Sequence, residues 1–330
     1  MPYRFKKGET APDAVRRIVR EEIDSTLAEL SHTGARLDEG VHEARKSIKK
    51  IRGLIRLVRA ELGPAYRSAN TSLGEIGRKL SEIRDTTAVL ESLDSLAAKH
   101  KDALQENALA PIRKGLETDK REIERRIGIP AAVKRAASAL RVIRKKVDKW
   151  PLQHDGFRAL APGLEDRYRR GRKAMATAQK DETPESFHEW RKRVKDHWYH
   201  IRLLESLWTG VMQAYEGSLH DLETWLGDDH NLVVLREKLE AAPDSFGGEQ
   251  IVQLFLALVG QEQQELREKA VSLGERVYER KPRRLVQDTE KLWDAWRQEP
   301  ASMKAEEKAE RQTAKKRPAR AASSKKTAAA

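Results

Sequence analysis

The chain is 330 residues long, with 65 Lys and Arg against 52 Asp and Glu, a formal net charge of +13, and 38% hydrophobic residues. That apolar share can fill a core, which excludes wholesale disorder, and the lack of cysteine excludes disulfide scaffolds, thiolate zinc sites, iron–sulfur clusters and cysteine nucleophiles. The basic excess argues for a polyanionic partner: nucleic acid, an anionic membrane, or a phosphate-rich small molecule or polymer.

Met1-Pro2-Tyr3-Arg4-Phe5-Lys6-Lys7 lacks the apolar core of a signal peptide. No window approaches the roughly 18 apolar residues of a membrane span, so a soluble cytoplasmic protein is expected. Strand signals are scarce and the pattern is helical almost throughout, which predicts an all-α fold. Helices are expected at about 11–37, 41–62, 66–104, 109–127 and 131–149, then at 157–180, 184–208, 211–241, 248–279 and 283–299. Gly40, Gly63-Pro64, Pro111, Pro130, Pro151 with Gly156, Pro184, Pro243 with Gly247-Gly248, and Pro282 are expected to stop or re-aim them. Residues 301–330, with nine Lys and Arg, three Glu and no apolar periodicity, are expected to form a disordered basic tail. Without them the remaining 300 residues carry +7.

An internal repeat organises those 300 residues. Val41-His42-Glu43-Ala44-Arg45-Lys46-Ser47-Ile48-Lys49 returns 146 positions later as Phe187-His188-Glu189-Trp190-Arg191-Lys192-Arg193-Val194-Lys195. The same offset pairs Arg56-Leu57 with Arg202-Leu203, Leu73 with Leu219, Leu80 with Leu226, and Asp85 with Asn231. A shared offset across separate helices points to a duplicated half, joined near Trp150, and to two helical bundles related by approximate two-fold symmetry. Residues 1–150 and 151–300 are the expected halves.

On the first motif helix Val41, Ala44, Ile48, Ile51, Ile55 and Val58 form an apolar stripe. His42, Arg45, Lys49, Arg52, Arg56 and Arg59 form a second row, roughly 100° away around the helix. Residues 41–59 hold seven Lys and Arg but one Glu, so pairing within the helix cannot neutralise the row. In the second copy the row reads His188, Arg191, Lys195, Trp198 and Arg202, with Trp198 in the place of Arg52. Two further basic segments, Lys134 to Lys149 with Arg141 and Lys145, and Arg167 to Lys173 with Arg170, complete a phosphate groove if the faces meet. The competing reading is a set of solvated helix faces whose acids come from neighbouring helices. A metal site is not expected: there is no HExxH, and His197 with His200, or Asp228-Asp229-His230, are poor candidates. No nucleophile elbow, Walker-type loop or dinucleotide fingerprint is present.

The two His-Glu-x-Arg-Lys helices, Arg84-Asp85 and His230-Asn231 about 40 residues after each His, Tyr168-Arg169-Arg170-Gly171-Arg172 and the opening Arg4-Phe5-Lys6-Lys7-Gly8-Glu9 together resemble the CHAD family, the α-helical domain named for its histidines. The resemblance implies two four-helix bundles packed pseudo-symmetrically around a basic surface or pore, and binding of inorganic polyphosphate, often at polyphosphate granules. It carries over to His42, Arg45, Lys46, Lys49, Arg52 and Arg56 in the first copy, and to His188, Arg191, Lys192, Lys195 and Arg202 in the second. Trp198 departs from the pattern. Many relatives carry a triphosphate-tunnel enzyme domain upstream, and with none before residue 1 a non-catalytic role without cofactor or metal is expected. On this reading His42 and His188 become imidazolium beside phosphates, and affinity strengthens as pH falls. The alternative is a nucleic-acid-binding protein acting through its Lys/Arg-rich tail. Against it, the folded part shows no helix-turn-helix, zinc finger or exposed aromatic platform for bases.

Overall fold

The computed structural model describes residues 3–100 and 106–299, whose regular elements are eleven α-helices and four short 3-10 turns, with no strand among the described residues. In chain order the helices are α1 (Ala11–Glu29), α2 (Leu37–Leu57), α3 (Arg59–Leu62), α4 (Pro64–Lys99), α5 (Glu106–Ile127) and α6 (Ile129–Val147). They continue as α7 (Ala161–Asp181), α8 (Pro184–Leu203), α9 (Thr209–Ala241), α10 (Glu249–Val277) and α11 (Pro282–Gln298). The expected tail at 301–330 lies outside the described residues, as do the side chains of Arg84 and Asp85.

Prolines set most of the starts. Pro12, Pro64, Pro130, Pro162, Pro184 and Pro282 each occupy the first or second position of a helix, where the missing N–H costs no intrahelical bond and the fixed φ suits the first turn. Thr10 and Thr183 cap α1 and α8, their hydroxyls accepting from the Asp13 and Ser186 amides at 3.2 Å.

Two expected breaks lie inside helices instead. Gly40 is within α2, and a Cβ there would stand 2.3 Å from the Glu29 carbonyl oxygen, so its service is close approach and not termination. The first helix accordingly ends at Glu29 and not near 37, because the chain must turn before α2 can lie against it. Pro111 falls in the early turns of α5, where it removes one hydrogen bond without ending the helix.

α1 packs on α2, α2 on α4, α4 on α5, and α6 on α1; the order recurs as α7 on α8, α8 on α9, α9 on α10, and α11 on α7. The two motif helices, α2 and α8, also cross each other. At their closest approach a Cβ on Gly53 would lie 2.9 Å from Tyr199 Cβ. Positions 53 and 199 correspond at the repeat offset. The halves share their core. One apolar cluster runs from Phe5, Ile18 and Ile51 through Leu57 to Trp190, Leu203 and Trp296, and a smaller one joins the far ends of α4, α5, α9 and α10 around Leu93, Ile112, Leu235 and Phe255.

Candidate anion-binding cleft

Burial of one face of each motif helix decides which side chains are left for the site. In α2, Val41, Ala44, Ile48, Ile51 and Ile55 are buried, and in α8, Phe187, Trp190, Val194 and Ile201. The basic rows consequently flank the α2–α8 crossing, with α4 and α9 as the outer walls. There they line a cleft of about 760 Å³. Among the described residues its lining includes Arg45, Lys46, Lys49, Lys50, Arg191, Lys192, Lys195 and Arg202, the imidazoles of His42, His188, His220 and His230, and the carboxylates of Glu91 and Glu223.

Glu223, reaching in from α9, is buried and accepts from Lys195 Nζ at 2.6 Å and Arg191 Nε at 3.3 Å. Burial opposes its charge, but Lys195, Arg191 and Lys49 outweigh it and hold the carboxyl below its usual range. The first half has no equivalent acid, because the corresponding residue is Gly77. Lys49 therefore sits among Lys195, Arg45 and Arg191, and burial followed by those charges pushes its ammonium down to about 7. Lys195 is lowered too, chiefly by burial and then by Arg191.

The His188 and His230 rings lie 3.9 Å apart, centroid to centroid. Burial, then Lys192 and Arg191, drives His188 down to about 4, and burial with His188 does the same to His230. Both are neutral at pH 7, and an anion in the cleft would favour their imidazolium forms. His42 is half-exposed, 3.9 Å from Glu43.

A second cleft of about 380 Å³ shares Lys49, Lys192, Lys195 and Tyr199 with the first, and adds Arg52, Arg56, Glu189, Arg193 and Asp196. Asp196 is 2% exposed and gathers three guanidiniums: Arg56 donates to it, Arg193 Nη1 lies at 3.4 Å and Arg167 Nη1 at 3.8 Å. The cationic surface thus continues along α8 from one cleft into the next.

The structure brings the expected residues of both motif copies together along these clefts, but not the other basic segments. Lys134, Arg141 and Lys145 stand on the exposed face of α6, which packs on α1 and α4, and they line neither cleft. Arg167 is buried behind the cleft against Asp166, at 2.7 Å, and Asp196. Arg170 is exposed and paired with Asp166 at 3.0 Å. Neighbouring acids do account for several cations, since Lys46 meets Glu43, Lys50 meets Glu22, Lys192 meets Glu189 and Arg202 meets Glu216. Among the described residues the lining of the main cleft itself holds eight Lys and Arg and two carboxylates.

Lys50, Tyr199, His220 and Glu223 were not foreseen. Lys50 adjoins the row in sequence, whereas the α9 residues carry no local signal and reach the cleft only through packing. His197 and His200 are fully buried and structural. His197 Nε2 meets the Tyr215 hydroxyl at 2.8 Å and His200 Nε2 donates to the Gly53 carbonyl at 3.0 Å, tying α8 to α2. Among the described residues no group of three or more His, Asp or Glu could hold a metal ion, and no helix is long and apolar enough to cross a membrane.

The model of the family described as CHAD domain matches residues 17–240, more than half of the chain. The chain belongs to the CHAD domain family. Among solved structures, the CHAD domain from the plant Ricinus communis aligns with a TM-score of 0.60 at 18% identity, covering 84% of this chain and 96% of that one. PptA from Streptomyces chartreusis aligns with a TM-score of 0.52 at 15% identity, covering 82% of this chain and 98% of that one. At such identities the likeness shows the fold alone. No curated protein matches the chain. Within this CHAD domain both histidine-bearing helices face one cleft.

Proposed function

We propose that this CHAD domain binds inorganic polyphosphate in the α2–α8 cleft, without catalysis, and that it associates with polyphosphate granules. One observation carries the reading: eight Lys and Arg side chains from two rigid helices line a single cleft to which the described residues contribute two carboxylates. Packing already fixes the helices, so binding a phosphate chain orders little beyond side-chain tips. Arg45, Arg191 and Arg202 offer forked donors, and Lys46, Lys49, Lys50, Lys192 and Lys195 point charges. Linear polyphosphate fits such a row better than a compact anion does, because the cations extend along the crossing into the second cleft.

The test compares polyphosphate binding by the wild type, a deletion of 301–330 and an Arg45→Ala/Lys49→Ala/Arg191→Ala/Lys195→Ala variant at two salt concentrations, with circular dichroism to verify folding. Loss in the quadruple variant with retention in the deletion is expected, with log K falling against log salt by roughly 0.7 per phosphate neutralised, by analogy with single-stranded nucleic acid. Displacement of polyphosphate by DNA at equal phosphate concentration, together with loss of binding in the deletion, would assign the function to nucleic acid and the tail.

A further inference from the structure

One end of the cleft is not built for phosphate. Along α8 the cations Arg191, Lys192 and Lys195 give way after less than one turn to Trp198, where the repeat places Arg52 in the other half. The substitution comes as a matched pair. In the first half Arg52 Nε donates to Asn70 Oδ1 at 3.2 Å, and in the second Trp198 Nε1 donates to Glu216 Oε1 at 2.7 Å. Residues 70 and 216 correspond at the same offset. A cation held by an amide has become an indole held by a carboxylate, and that carboxylate also faces Arg202 at 3.7 Å. Positive charge is thus reduced at this end, where a longer phosphate chain would gain little.

An aromatic stack stands in its place, contrary to the expectation that no such platform exists. His220, exposed on α9, lies nearly parallel to Trp198, with centroids 5.1 Å apart and planes at 16°. Tyr199 backs the indole at 5.0 Å, and the Arg202 guanidinium lies 5.1 Å from its centroid. Trp198, Tyr199 and His220 all line the same cleft as Lys49, Arg191 and Lys195. Because His220 is exposed, a further planar group can add to the stack while its charged tail runs back along α8. The separation from Lys195 to Trp198 is three residues, about 4.5 Å of helix axis.

We infer that this half of the cleft is a nucleoside polyphosphate subsite: the base stacks on His220, which itself rests on Trp198, and the phosphates lie on Lys195, Arg191 and Lys49. The inference rests on the proposed phosphate binding and adds the base. The probes are ATP and inorganic tripolyphosphate, both without divalent metal and at matched ionic strength, titrated against the full chain. Stacking of a base on an aromatic group predicts that ATP binds about tenfold more tightly than tripolyphosphate. His220→Ala, and Trp198→Arg with Glu216→Asn, which rebuilds the Arg52–Asn70 pair and adds two positive charges, are expected to bring that ratio to about one, the double variant binding tripolyphosphate more tightly than the wild type does. Retained tripolyphosphate binding shows that the variants are folded. Tripolyphosphate binding with no advantage for ATP in the wild type, or an advantage that survives both variants, overturns the inference alone. Failure of both probes and of long-chain polyphosphate overturns the inference and the phosphate reading together.

Discussion

Lys49 makes the proposed binding depend on pH in a direction and range that the structure fixes. Its ammonium sits at about 7 because burial strips it of water and Lys195, Arg45 and Arg191 crowd it. At pH 8 only about a tenth of the side chain is charged in the free protein. A polyanion in the cleft supplies opposite charge and raises that value, so binding takes up a proton wherever the pH lies above the free value and below the bound one. Affinity is therefore highest below pH 7 and falls as pH rises. Between pH 7.5 and 9 the factor from this group is on the order of 20-fold, approaching tenfold, or about 1.4 kcal/mol, per unit. His188 and His230, both at about 4, are poised to add proton uptake on the acid side instead. The assay is anisotropy of labelled polyphosphate across this range at constant ionic strength, with calorimetry in two buffers of different ionisation enthalpy to count protons. Lys49→Arg keeps its charge and is expected to flatten the profile. A flat wild-type profile, or a Lys49→Arg variant with the wild-type slope, would refute the reasoning.

Three further outcomes follow. Burial holds His197 and His200 at about 3 against roughly 6.5 in the unfolded chain, so the unfolded state binds more protons below pH 6.5. Stability is then lost as pH falls from 6.5 towards 3, by up to about 1.4 kcal/mol per unit per histidine; Tm measured from pH 7.5 to 5 checks this, and His200→Gln should make the decline shallower. Glu223→Gln removes the acid that pairs with Lys195 and Arg191. At pH 6, where Lys49 is charged, polyphosphate should bind about fivefold more tightly, near 1 kcal/mol for one nearby charge, and unchanged or weaker binding counts against charge as the driving term. Gly53→Ala places a Cβ 2.9 Å from Tyr199 Cβ at the α2–α8 crossing and should cost about 1–3 kcal/mol, read as a fall in Tm; an unchanged Tm would refute close packing at the crossing.

The helices and the basic rows were legible because both have local causes. Pro64, Pro130, Pro184 and Pro282 mark starts through φ and a missing N–H, and the apolar spacing of Val41, Ala44, Ile48, Ile51 and Ile55 leaves Arg45 and Lys49 off the buried face. The contact of Gly53 with Tyr199 carries no local signal in either residue. What depends on tertiary packing was not legible. Gly40 reads as a stop until Glu29 is seen against it, and the α6 cations Lys134, Arg141 and Lys145 read like those of α2 until α6 is placed against α1 and α4. Glu223 and His220, on a different helix and without a motif, decide the charge and the aromatic end of the cleft.

The central claim is that position in the cleft, more than the sum of charge, selects polyphosphate. The direct measurement compares Arg45→Gln/Arg191→Gln with Lys134→Gln/Arg141→Gln/Lys145→Gln on α6, by equilibrium polyphosphate binding over a range of salt. The double variant removes fewer charges yet should lose at least about tenfold in affinity and flatten the salt slope by roughly 0.7 per lost phosphate contact, while the triple variant stays within about twofold. Equal losses, or a larger loss on α6, would contradict the account.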